Sequence, residues 1–81
     1  MAVNDELLVD ARGTRCPYPV IELARAAASR PVAHVILLAD DPVALTDVPA
    51  WCRMRRAELL RVEECEDHWC FEILTRHPAG R

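Results

Sequence analysis

The run Val20-Ile21-Glu22-Leu23-Ala24-Arg25-Ala26-Ala27-Ala28-Ser29-Arg30-Pro31-Val32-Ala33-His34-Val35-Ile36-Leu37-Leu38-Ala39 decides the fold of this chain. Its first part is alanine-rich, and Val20, Leu23, Ala24 and Ala27 recur at the spacing of one helix face. Ser29-Arg30-Pro31 closes that helix near Arg30, because a proline ring pushes the residue before it out of the helical region. His34 to Ala39 then reads as a continuous apolar strand, the pattern of a strand buried on both faces.

Toward the N-terminus, Leu7-Leu8-Val9 is a short apolar run that ends at Asp10-Ala11-Arg12-Gly13, a first strand followed by a turn. A helix joining two strands of one sheet is a crossover, so these strands are expected to be parallel. Beyond the central run, Asp40-Asp41-Pro42 stops the strand. Asp47 reads as the N-cap of a second helix that carries Pro49 in its first turn and runs to about Glu58. Arg55 falls between Trp51 and Cys52 on the helical wheel, so the periodicity does not define a buried face there. Leu59 to Glu64 and Trp69 to Thr75 form a closing hairpin, with Leu60 and Val62 alternating on one strand and Trp69, Phe71 and Ile73 on the other. A two-residue turn at Asp67-His68 would set Cys65 opposite Cys70. A four-residue loop pairs Leu60 with Ile73 and Val62 with Phe71, and these better apolar pairs favour it. The expected order is β-α-β-α-β-β. That is an α+β fold, a two-layer α/β sandwich whose four-stranded mixed sheet carries two helices on one face.

The chain has 81 residues and a mass of 9.1 kDa, which fits one domain over 1–81 with its core at about 7–75. A composition of 52% hydrophobic and 28% charged residues excludes a disordered tail. The net charge of −3 argues against direct nucleic-acid binding, which favours a basic face. The longest apolar stretch, Val35 to Ala39, is too short to cross a membrane, and the first residues, MAVNDELLVDARG, lack the basic and apolar regions of a signal peptide. A cytoplasmic location follows as the expectation, with Cys16, Cys52, Cys65 and Cys70 as reduced thiols. A monomer is the default. All 10 basic residues are arginine, which excludes lysine Schiff-base chemistry.

Cys16 is the leading candidate for chemistry. Pro17 keeps Cys16 out of helical geometry and starts the first helix, and a helix N-terminus carries about +0.5 charge, which favours a thiolate. Arg12 and Arg15 add positive potential. Pro17 and Pro19 remove two backbone donors from the first turn. Loops that follow parallel strands share one sheet edge, so Cys16 after the first strand and Asp40-Asp41 after the second are expected to be neighbours. Those carboxylates act against thiolate formation.

Arg12-Gly13-Thr14-Arg15-Cys16-Pro17-Tyr18-Pro19 resembles the Gly-x-x-Cys-Pro-x-Pro signature of the TusA, or SirA-like, sulfur-carrier family. Ala39-Asp40-Asp41-Pro42 and Asp47-Val48-Pro49-Ala50-Trp51-Cys52 match in register, and the likeness runs from about Leu7 to Thr75 without insertion. The resemblance implies the same β-α-β-α-β-β sandwich. It also implies a mechanism: Cys16 accepts a sulfane sulfur from a cysteine desulfurase or another persulfide donor protein, carries it as Cys16-S-SH and passes it to a downstream acceptor. Members serve tRNA thiolation, molybdenum-cofactor synthesis or sulfur oxidation. Such a relay is a sulfurtransferase that needs no metal and no cofactor. Two positions depart from the family pattern. Tyr18 stands between the prolines where many relatives have glutamate or another polar residue, and Arg30-Pro31-Val32-Ala33 replaces a glycine-containing turn.

The remaining candidates have plainer readings. Cys52 matches a cysteine of many relatives and reads as a core residue beside Val48, with a second sulfur-handling thiol as the alternative. Asp40, Asp41, Pro42 and Asp47 read as capping and turn residues, with a carboxylate site as the alternative. Cys65-x-x-His68-x-Cys70 lacks a usual zinc spacing. His34 and His77 stand alone. Arg53, Arg55, Arg56 and Arg61 form either a solvated face or a docking patch for an acidic partner. Two rival functions remain. One is a non-catalytic interaction or regulatory module on this fold. The other is a dithiol redox protein that uses Cys16 with Cys52.

Overall fold

The computed structural model describes residues 6–76. Six elements follow in the expected order: β1 (Glu6–Asp10), α1 (Tyr18–Ala28), β2 (Val32–Ala39), α2 (Ala44–Arg55), β3 (Glu58–Glu64) and β4 (Trp69–Arg76). The sheet runs β1-β2-β4-β3. β1 and β2 are parallel, as a helical crossover requires, and β4 pairs antiparallel with both β2 and β3.

The core lies between one face of this sheet and the two helices. Ala33, Val35, Leu37 and Ala39 alternate into it from β2, and Phe71, Ile73 and Thr75 do so from β4. Leu23 and Ala27 meet them from α1, and Ala44, Val48, Trp51 and Cys52 from α2. The hydroxyl of Thr75, the one buried polar side chain among the described residues, donates to the Ala33 carbonyl at 3.4 Å.

Several boundaries differ from expectation. β2 is buried on one face only: His34, Ile36 and Leu38 are half-buried because both helices lie on the opposite side. α1 begins at Tyr18, directly after Pro17 as expected, with Pro19 within its first turn, but it ends at Ala28 rather than Arg30. α2 begins at Ala44, so Asp47 is a first-turn residue and not the N-cap. Asp41 does that work from further back. Its Oδ1 accepts the Val43 N–H at 3.0 Å, and its carbonyl accepts the Ala44 N–H at 2.9 Å. Pro49 therefore lies in the helix interior rather than the first turn. The helix stops before Glu58, at Arg56, whose left-handed φ of 57° turns the chain so that the Ala57 N–H reaches the Cys52 carbonyl at 2.8 Å.

The four-residue hairpin loop occurs as expected, with Glu64 opposite Trp69 and the Cys65 N–H given to the His68 carbonyl at 2.8 Å. Val62 faces Phe71 as predicted, but Ile73 faces Leu59 and not Leu60. A register irregularity between Leu59 and Arg61 inserts Leu60 as the extra residue. His34 is not alone. From the open sheet face it bridges Glu72 on β4 at 2.6 Å and approaches Glu6 on β1 at 3.6 Å. His77 lies outside the described residues.

Burial predicts where substitutions act. Phe71 is 0% exposed and Leu8 is 68% exposed. Phe71→Ala is expected to cost about 3–5 kcal/mol in urea unfolding, and Leu8→Ala about 0.5 kcal/mol or less. Equal effects would misplace the core.

Candidate functional site

The loops after β1 and β2 meet at one edge of the sheet and are tied by carboxylates. Ala11 continues the β1 pairing by donating its N–H to the Leu38 carbonyl at 2.8 Å. Thr14 folds the loop back, its hydroxyl on the Ala11 carbonyl at 2.6 Å. Gly13 adopts a left-handed φ of 83°, and open space surrounds its missing Cβ, so backbone conformation rather than crowding favours glycine there. Its N–H points at both carboxylate oxygens of Asp40, at 3.0 and 2.9 Å. Two residues past Thr14, the Cys16 N–H donates to Asp41 Oδ2 at 2.9 Å. The Cys16–Pro17 peptide is cis.

Cys16 is half-buried at an open cleft of about 620 Å³ whose walls include Thr14, Arg15, Asp40, Asp41 and Val43. The expected meeting of Cys16 with Asp40-Asp41 therefore occurs. Gly13, Arg15 and Pro42 also line this cleft. Pro17 is exposed at the start of α1, whereas Pro19 is fully buried and anchors the helix to the core. Asp47, half-buried in the first turn of α2, is near enough to act on the Cys16 thiol.

The expected thiolate is not what this arrangement favours. Burial pushes the Cys16 thiol above its ordinary range, and Asp47 and Asp41 push the same way. The helix terminus offers few donors to offset this. Pro17 and Pro19 have none, the Tyr18 N–H goes to the Arg15 carbonyl at 2.8 Å, and the Cys16 N–H goes to Asp41. Arg12 is also drawn away. Its Nε and Nη2 each lie 2.9 Å from Asp10, whose carboxyl those hydrogen bonds hold down at about 2. Asp10 has no place in the sequence expectation, although an acid two residues before a basic residue at a strand end is a readable signal. The Val43 and Cys16 N–H groups hold the Asp41 carboxyl below its ordinary range, and Arg15, which remains at the cleft, adds to this.

Other candidates lie apart from this cleft. Cys52 is 3% exposed in the core, as expected, and burial pushes its thiol up. That position disfavours a dithiol pair with Cys16. Cys65 and Cys70 are half-buried free thiols at the hairpin end, and no cluster that could hold a metal occurs among the described residues. Arg53, Arg55, Arg56 and Arg61 are all exposed. Tyr18, 46% exposed, stands next to the cysteine on α1. No helix among the described residues is long and apolar enough to cross a membrane.

A family model described as "Sulfurtransferase TusA" matches residues 8–75. An Archaeoglobus fulgidus protein named "Putative sulfur carrier protein" is 34% identical over 64 residues, which cover 78% of this chain and 88% of that one. Another protein of the same name and organism is 38% identical over 60 residues, covering 73% and 78%.

The thiol's environment sets a measurable expectation. Iodoacetamide labelling of Cys16 against pH is predicted to rise with a midpoint above that of an unstructured cysteine peptide. Cys52 is predicted to stay unlabelled until the protein unfolds. A Cys16 midpoint below that of the peptide would show that the helix terminus outweighs burial and the carboxylates.

Proposed function

This chain belongs to the TusA sulfurtransferase family, and on that premise we propose that it is a sulfur carrier that holds a sulfane sulfur as a persulfide on Cys16. The observation that carries this reading is the placement of Cys16. It stands at the mouth of an open cleft on the loop edge of the sheet, while Cys52 is buried. The names of the Archaeoglobus fulgidus relatives support the carrier role.

The transfer is Cys16-SH + R-S-SH → Cys16-S-SH + R-SH, where R-S-SH is a persulfide on a donor protein such as a cysteine desulfurase. The Cys16 sulfur attacks the outer sulfur of the donor and forms one S–S bond as the donor's S–S bond breaks. The donor thiolate leaves and takes up the proton that Cys16 gives up. Handing the sulfur to a downstream acceptor thiol repeats the step with Cys16 as the leaving group. The protein's task is to present the sulfur, and one TusA-like domain with its core over residues 7–75 suffices. Gly13, Arg15, Pro17 and Pro19 shape the loop that presents it. Asp40, Asp41 and Pro42 tether that loop to β2 and α2. The relay works in the cytoplasm, where thiols stay reduced, and serves a pathway such as tRNA thiolation, molybdenum-cofactor synthesis or sulfur oxidation.

Intact mass after incubation with a cysteine desulfurase and cysteine tests the reading. The expected result is a gain of one sulfur atom that reductant removes and that Cys16→Ala abolishes. A gain retained by Cys16→Ala would place the sulfur on another cysteine. No gain, from the desulfurase or from polysulfide, would leave a non-catalytic interaction module as the better account.

A further inference from the structure

The cleft around Cys16 carries a charge pattern that the relay alone does not require. Two carboxylates line the cleft and a third lies close by in the first turn of α2. Asp40 and Asp41 directly follow β2, with Asp41 2.9 Å from the Cys16 backbone nitrogen, and Asp47 acts on the same thiol from α2. Against them stands one arginine on the cleft wall, Arg15. Arg12 is neutralised by its two-point contact with Asp10. The cleft is therefore net negative at the point where a sulfur donor must enter.

We infer that Asp41 and Asp47 act as specificity determinants of Cys16: they admit sulfur donors with positive charge beside the transferable sulfur and disfavour small anionic ones. This rests on Cys16 being the sulfur site. Small sulfane donors such as thiosulfate and hydropolysulfide are anions, and their approach to this open cleft brings like charges together within a Debye length. A protein persulfide flanked by arginine, lysine or a helix N-terminus meets the opposite field. Its cation also offsets the carboxylates that keep the thiol protonated, so the donor that fits the cleft also activates the nucleophile. With hydropolysulfide the disfavoured step is Cys16-SH + HS-S⁻ → Cys16-S-SH + HS⁻, in which the Cys16 proton ends on the product sulfide or water.

Two methanethiosulfonate reagents of similar size test this, one bearing trimethylammonium and one bearing sulfonate. Each forms a mixed disulfide with Cys16 and releases methanesulfinate. Trypsin cuts after Arg15 and Arg25, so peptide 16–25 carries Cys16 as its only cysteine and reports the rate at this residue. The expected result at low salt is cationic labelling several-fold faster than anionic labelling. That ratio is expected to fall toward one at about 1 M salt, where the Debye length is roughly 3 Å. Asp41→Asn and Asp47→Asn, which keep an acceptor oxygen, are expected to lower the ratio, and Arg15→Gln to raise it. Anionic hydropolysulfide is expected to load Cys16 faster in Asp47→Asn than in the unmodified protein.

A ratio at or below one in the unmodified protein would overturn the inference, as would a ratio unchanged by both Asn variants. The salt titration needs no variant, so it decides the matter even if an Asn variant fails to fold. Failure of the carrier reading is separate. It would appear as desulfurase-dependent sulfur that persists in Cys16→Ala, or as no loading at all, whatever the labelling ratio.

Discussion

The Asp41 carboxylate holds the functional edge together. One oxygen accepts the Cys16 N–H at 2.9 Å and the other accepts the Val43 N–H at 3.0 Å, so one side chain joins the start of α1 to the start of α2. Asp40 does the same for the β1 loop by accepting the Gly13 N–H. Both aspartates directly follow β2, which is bonded on both sides, to β1 and to β4. The sulfur's position is thus transmitted from an inner strand of the sheet through two carboxylates to a loop that has few other anchors. Charge-assisted bonds from backbone N–H groups suit this role because they are short and directional. They also carry a chemical consequence. The groups that fix the sulfur in place surround it with negative charge, so positioning and ionisation work against each other at Cys16.

The sheet explains why the candidate site gathers at that edge. One face is fully used by α1 and α2, and its alternation on β2 and β4 is strict. The other face is stitched by His34, which reaches from β2 to Glu72 on β4 and toward Glu6 on β1. The loops beyond the strand ends, released from sheet pairing, are where a side chain can stand half-exposed and still be held.

Much of this architecture was legible in the residues. The crossover from Leu7-Leu8-Val9 through an alanine-rich helix to His34–Ala39 implies a parallel pair, and the spacing of the last two strands implies a hairpin. Cys52 reads as core and is core. What escaped depends on three-dimensional neighbours. Ile36 and Leu38 look as buried as Val35 and Leu37 in a continuous apolar run, and only the one-sided placement of the helices separates them. Asp47 has the residue type of an N-cap, yet Asp41 supplies the acceptor three residues before the helix starts. The irregularity at Leu60 is a matter of register, which a single strand's pattern does not encode. Arg12 and Arg15 both stand within four residues of Cys16, but Asp10 takes Arg12 into its own ion pair. The nearness of Cys16 to Asp40-Asp41 was therefore readable by loop topology, whereas the electrostatic sign of their cleft was not, because that sign is a sum over partners.

In the proposed relay, a Cys16 thiol pushed above its ordinary pKa bears on both loading and unloading. Loading needs Cys16 as a nucleophile, and the thiol form is a poor one. Unloading needs Cys16 as a leaving group, and a thiol of raised pKa leaves slowly. With Cys16 as the proposed sulfur site, the isolated chain would be restrained in both directions: slow to acquire sulfur and slow to release it. Docking changes both terms at once if the partner brings a cation to Asp41 and Asp47, since neutralising them favours the thiolate as attacker and as leaving group alike. On this reading, the apparent conflict between holding the sulfur in place and activating it is resolved at the interface with the partner. The fold supplies a rigid edge and a restrained thiol, and the partner's charge supplies the activation.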